Sequence, residues 1–168
     1  YVNLNNLNLG LILFFVGLFK KVVLADTFAS YSDDPFNAVD NGYQISFFES
    51  WLSMISFSLQ IYFDFSGYTD MATGLAKIFG ITLPINFNSP YKSKSIIEFW
   101  RKWHITLSRF LKECVYIPLG GNRNGRYISF LYILITMLVG GLWHGASWNF
   151  VIWGFFHAIL IIINHTYN

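Results

Sequence analysis

The chain has 168 residues, of which 54% are hydrophobic, 20% aromatic and 12% charged, with a net charge of +2 and a mean hydropathy of +0.44. A soluble domain carries about 25% charged residues, so this is the composition of a membrane protein with polar segments between its spans. The single cysteine, Cys114, excludes an internal disulfide and has no metal-ligand spacing around it; it reads as packing material.

Residues 7–25 form a first apolar run, interrupted late by Lys20 and Lys21. It is long enough to span, since about 20 residues cross the hydrocarbon core. Residues 26–41 hold Asp26, Asp33, Asp34 and Asp40 without a lysine or arginine and read as a polar loop. Residues 44–63 read as a second span, broken at 66–70, and 71–83 as a shorter helix. A turn-rich connector follows over 84–90. The pattern over 96–115 predicts an amphipathic helix, with Trp100, Trp103, Leu107, Phe110, Leu111 and Cys114 on one face and His104 at its border. Pro118, Gly120 and Gly121 turn the chain into a loop over 116–123. Residues 127–143 and 148–163 read as a third and a fourth span. The fold class is all-α, a polytopic membrane helix bundle with an amphipathic or re-entrant helix on the cytoplasmic side.

Eight of the eleven basic residues lie between Lys92 and Arg126, against only Glu98 and Glu113, a local balance of +6. By the positive-inside rule this segment faces the cytoplasm, and the acidic 26–41 segment faces outward. The chain opens on Tyr1 without an initiator methionine or a basic leader and closes on an apolar run with a few polar residues. We read 1–168 as a single piece of a transmembrane domain, with further helices expected on both sides.

Four histidines are candidates for chemistry. His144 lies in Gly140-Gly141-Leu142-Trp143-His144-Gly145-Ala146, at the end of a run as greasy as a span. A titratable imidazole is costly at membrane depth and usually has a task. The small neighbours let helices approach closely and also leave room for a substrate. A neutral imidazole there suits the removal of a proton from a hydroxyl. The bland alternative is a hydrogen-bonded histidine that tunes packing. His104, beside Arg101 and Lys102, has a stronger bland reading, as a solvated or head-group-facing residue of an interfacial helix. His157 reads as structural and His165 as a surface residue. Asp64 and Asp70 suit a cation or acid–base work, but such residues more often cap helices or pair with lysine or arginine. No P-loop, Cys/His cluster, nucleophile elbow or zinc-protease motif is present, and neither a bound metal nor a nucleic-acid partner is expected.

Longer patterns carry more. Ile61-Tyr62-Phe63-Asp64-Phe65-Ser66-Gly67-Tyr68-Thr69-Asp70-Met71-Ala72, Asn86-Phe87-Asn88-Ser89-Pro90-Tyr91, Phe99-Trp100-Arg101-Lys102-Trp103-His104-Ile105-Thr106-Leu107-Ser108, Tyr116-Ile117-Pro118-Leu119-Gly120-Gly121-Asn122-Arg123 and the stretch from Gly140 to Gly154 occur in order. Together they resemble the membrane-bound O-acyltransferase (MBOAT) family, most closely its bacterial alginate O-acetylation branch. The resemblance implies transfer of an acyl group, here acetyl, from a cytoplasmic donor toward hydroxyls of an extracytoplasmic polysaccharide. It places the family's near-invariant histidine on His144 and a second catalytic histidine on His104. In the mechanism it suggests, His144 is the general base, His104 orients the acceptor or stabilises the oxyanion, and Arg101 or Lys102 holds the phosphates of acetyl-CoA, the expected donor. The expected partners are the lipid bilayer, the acyl donor, and a polysaccharide acceptor or a periplasmic acetyl-relay protein. The expected location is the bacterial inner membrane. A branch that exports D-alanine to teichoic acids is the alternative; a non-enzymatic transporter ranks below it, since no internal repeat is visible, as does an inactive scaffold, against which the intact His104 and His144 speak.

Overall fold

Asn3 starts the first helix: its side-chain oxygen accepts from the backbone N–H of Asn5 at 3.0 Å and of Asn6 at 3.4 Å, taking up donors that a helix start leaves orphaned. The structure, a computed structural model, describes residues 3–167; it divides into two compact units, 1–84 and 85–168.

In the first unit, α1 (Leu4–Phe19) runs through a π-helical turn (Lys20–Ala25) directly into α2 (Asp26–Asp40). The expected polar loop over 26–41 is therefore helix. Phe28, Ser32 and Phe36 recur four apart and line one face of α2. Phe28 stacks on Phe63 at 5.9 Å, Phe36 meets Phe57 edge-on at 5.6 Å, and the buried Ser32 hydroxyl donates to Gln60 Oε1 at 2.6 Å. Asp26, Asp33 and Asp34 occupy the exposed side. Their polarity suggested a loop, whereas the stripe that meets Phe57, Gln60 and Phe63 makes a helix.

The partner is α3 (Phe47–Ile78), 32 residues long. It opens with a capping box: Ser46 Oγ accepts from the Glu49 N–H, and the Glu49 carboxylate accepts from the Ser46 N–H at 2.7 Å. The expected break at 66–70 does not occur. Gly67 is needed there for contact rather than for a turn: a Cβ on it would stand 2.6 Å from the carbonyl oxygen of Gly17. Gly10 and Gly74 meet in the same way. Two glycines seven apart on α1 thus face two glycines seven apart on an antiparallel α3, so the backbones touch. The residues α3 buries are small, namely Ser53, Ser56, Ser66, Gly67 and Gly74. The π turn carries Lys20 and Lys21 to α3, where they pair with Asp70 (2.5 Å) and Asp64. The two aspartates thus follow the commoner of their two expected roles, as ion-pair partners.

In the second unit, a strap over 86–88 leads through a 3₁₀ turn (Pro90–Lys92) to α4 (Ile96–Lys102), capped by Ser95, whose hydroxyl oxygen accepts from the Glu98 N–H at 3.1 Å. The amphipathic helix expected over 96–115 is interrupted. Trp103 is extended and His104 has φ 42° and ψ 57° before α5 (Ile105–Leu111) begins. The strap causes this break: the Asn88 N–H donates to the Lys102 carbonyl at 3.0 Å, and the Ile105 N–H donates to the Asn86 carbonyl at 3.0 Å. A π-helical turn (Lys112–Tyr116) and the single turn α6 (Ile117–Leu119) follow. Cys114 is exposed, not packing material.

Helices α7 (Arg126–His144) and α8 (Trp148–Tyr167) form an antiparallel hairpin. Cβ atoms on Gly141 and Gly154 would stand 2.3 Å from the Phe150 carbonyl oxygen and 2.4 Å from that of Met137. Among the described residues, three helices are long and apolar enough to cross a membrane: the continuous helix Leu4–Asp40, α7 and α8. Their outward faces expose Ile12, Phe15, Leu131 and Phe156, as lipid-facing surfaces do. The second of the four expected spans falls in α3, whose serines and carboxylates keep it out of that set.

Candidate active site

His144 is the last residue of α7, and Gly145 closes the helix with its N–H on the Leu142 carbonyl at 3.2 Å. The imidazole therefore stands at the mouth of the α7–α8 hairpin rather than midway along a span, and it is exposed. Gly145 is small because the Phe150 ring lies over it; a Cβ there would come within 2.8 Å of a ring carbon. His144 stacks on Phe150 at 5.9 Å and meets Trp153 edge-on at 5.2 Å, so α8 supplies two of its walls.

His104 is 8% exposed. The Trp143 ring touches both histidines, with centroids 6.0 Å from His104 and 5.1 Å from His144. The two residues expected to act together thus lie around one indole, one sunk and one open. Burial holds the His104 imidazole below the ordinary histidine value, and nearby His144 acts in the same direction. Both effects favour the neutral imidazole.

Asn86 holds it in place. Its Oδ1 lies 3.1 Å from His104 Nδ1 and accepts from the Thr106 N–H at 3.2 Å and the Thr106 hydroxyl at 2.9 Å. A non-glycine residue in the left-handed region costs about 1–3 kcal/mol, and these bonds, with the Ile105–Asn86 backbone bond, offset it. The sequence names both histidines as candidates but assigns Asn86 no role. It stands 18 positions before His104, and no spacing rule connects them.

Arg101 is exposed. Lys102 Nζ donates to Glu98 Oε1 at 2.7 Å, one turn back on α4. That ammonium, followed by the Lys94 N–H, keeps the Glu98 carboxyl below the usual carboxylate range. Of the two candidates for a donor's phosphates, Lys102 is thus already engaged by a carboxylate.

His157 lies on α8 between Trp153 (4.6 Å) and Trp100 (5.2 Å), and its Nδ1 is buried without a hydrogen-bond partner. It faces aromatic rings, in keeping with a structural role. His165, near the end of α8, is exposed, and its carbonyl accepts from Arg126 Nη2 at 2.9 Å.

The profile of the membrane-bound O-acyltransferase family matches residues 1–167. The chain is similar to the peptidoglycan O-acetyltransferase of Helicobacter pylori, at 52% identity over 100% of this chain and 31% of that protein. It is similar to the probable alginate O-acetylase AlgI of Azotobacter vinelandii, at 46% identity over 89% of this chain and 29% of the relative. A teichoic acid D-alanyltransferase of Streptococcus thermophilus is 34% identical over 89% of this chain and 38% of its own length. The chain spans about a third of the length of these curated relatives. With the family profile matching residues 1–167 and, among the described residues, three helices apolar enough to span, the chain is a membrane protein and belongs to the membrane-bound O-acyltransferase family.

Proposed function

We propose that the protein of which this chain forms part is an O-acetyltransferase of the bacterial inner membrane. It moves an acetyl group from cytoplasmic acetyl-CoA toward hydroxyls of an extracytoplasmic polysaccharide, directly or through a periplasmic relay protein. The observation that carries the reading is the gathering of His104 and His144 around Trp143, with a sunk, clamped imidazole beside an exposed one. The names of the relatives at 52% and 46% identity favour acetyl as the group and an envelope polymer as its destination.

His144 takes the acceptor hydroxyl's proton as the oxygen attacks the thioester carbon. The new C–O bond forms, the C–S bond of the collapsing tetrahedral intermediate breaks, and the imidazolium returns its proton to the departing thiolate. A positioned base contributes about 10²–10⁴ in rate. His104 orients the acceptor. Arg101, exposed at the end of α4, serves the donor phosphates better than Lys102, which is tied to Glu98.

The test uses the full-length protein in membrane vesicles, offered either labelled acetyl-CoA or a D-alanyl carrier protein. Acetyl label on a polysaccharide or relay-protein hydroxyl is the expected result. Transfer from the carrier protein alone selects the D-alanine reading, toward which the relative at 34% identity points. Transfer from neither donor removes the proposal.

A further inference from the structure

We infer that Asn86 is a positioning residue that fixes His104 as the tautomer protonated on Nδ1, leaving Nε2 as the ring nitrogen that can only accept. The role in the reaction rests on the acyl-transfer reading above; the tautomer does not.

The assignment follows from which groups can only donate. The Thr106 backbone N–H points at the Asn86 side-chain amide from 3.2 Å. A backbone N–H cannot accept, so the amide presents its oxygen there and its NH₂ elsewhere. The same oxygen is 3.1 Å from His104 Nδ1. An amide oxygen cannot donate, so the hydrogen of that bond belongs to Nδ1. In a neutral imidazole the other nitrogen then carries the lone pair. Thr106 agrees: its hydroxyl donates to Asn86 at 2.9 Å, while its separation from Nδ1 is 3.5 Å, the longer and weaker of the two contacts.

Asn86 is itself fixed. Its carbonyl accepts from the Ile105 N–H at 3.0 Å, so backbone and side chain grip the residues on either side of the His104 bend. Three donors converge on one Oδ1. Among side chains of this shape only asparagine and aspartate put an oxygen at that point, and aspartate would add a charge that favours the imidazolium.

The chemical consequence is a choice between the two roles open to His104. A neutral ring protonated on Nδ1 has no N–H at Nε2 and cannot donate there to a developing oxyanion. It can accept from a donor group of the acceptor other than the attacking hydroxyl, whose one proton goes to His144. His144 is the titratable neighbour that acts on His104, and Lys102, two residues back, is held by Glu98.

The experiment is ¹⁵N-histidine spectroscopy of the full-length protein in lipid at mildly alkaline pH, with the His104 signals identified by their loss in His104→Gln. A protonated Nδ1 and a bare Nε2 are expected; a proton on Nε2 overturns the inference. The spectrum is informative whichever acyl group the enzyme transfers, and whether or not it transfers one. A second measurement uses Asn86→Asp. The added carboxylate beside Nδ1 raises an imidazole's pKa by about 1–3 units, so the titration of the His104 ¹⁵N signals moves to higher pH by about that amount. A His104 titration that stays where the unsubstituted protein has it also overturns the inference.

Discussion

Gly140 and Gly141 are adjacent, helical and buried, yet they should answer differently to the same added methyl group. A Cβ on Gly140 would stand 3.0 Å from Leu111 Cδ1, the free end of a flexible side chain; one on Gly141 would stand 2.3 Å from the backbone carbonyl oxygen of Phe150. Either alanine regains about 0.8–1 kcal/mol of helix propensity. At position 140 the leucine turns aside, so the net change stays within about 1 kcal/mol of zero. At position 141 ordinary contact returns only when α8 moves away by about 1 Å, which forfeits a quarter to a half of each contact along the α7–α8 seam. Overpacking of this kind costs about 1–3 kcal/mol. Phe150 and Trp153 move with α8, so the walls of His144 move too. Thermal unfolding of the full-length protein in detergent, followed by tryptophan fluorescence, should place Gly141→Ala well below both Gly140→Ala and the unsubstituted protein. Acetyl transfer should fall in Gly141→Ala and persist in Gly140→Ala. Equal unfolding temperatures and equal activities in the two variants would refute the reasoning.

The ion pairs of the first unit can be tested by exchange. Lys20→Asp and Asp70→Lys should each destabilise singly and compensate together, with a coupling of about 0.5–3 kcal/mol; additive losses would mean that the 2.5 Å contact carries no energy. The pH dependence has a definite sign. Burial, with His144 adding to it, lowers the His104 pKa, so the ring stays neutral as pH falls toward the ordinary histidine value of about 6.5 and charges only below it. Acetyl transfer limited by this group should hold from pH 8 down to that value and decline beneath it. A pH–rate profile already falling on the acid side above about 6.5 would contradict a His104 held neutral by its surroundings.

The helical, membrane-bound class was legible in composition, and the start of α4 could be read from Ser95 and Glu98, the end of α7 from Gly145. What escaped were features set by partners distant in sequence. The aspartates over 26–40 hide the Phe28, Ser32 and Phe36 stripe, which only α3 gives meaning. Gly67 reads as a breaker until Gly17 is seen against it, although the seven-residue spacings of Gly10 with Gly17 and of Gly67 with Gly74 were a signal available in the sequence. The bend at His104 has neither glycine nor proline to announce it, because it is imposed by the strap at 86–88. Residue type and motif resemblance singled out His104 and His144. Neither indicated that one would be sunk and clamped and the other exposed, nor that Asn86 would be the clamp.

The most direct test of the acyl-transfer account is the turnover of labelled acetyl-CoA by full-length protein carrying His144→Ala, measured in vesicles with equal amounts of enzyme in the membrane. A base acting on the acceptor hydroxyl requires a fall of about 10²–10⁴ in rate with the protein still inserted and folded. Transfer at the unsubstituted rate would show that the exposed imidazole at the mouth of the α7–α8 hairpin takes no part in the chemistry.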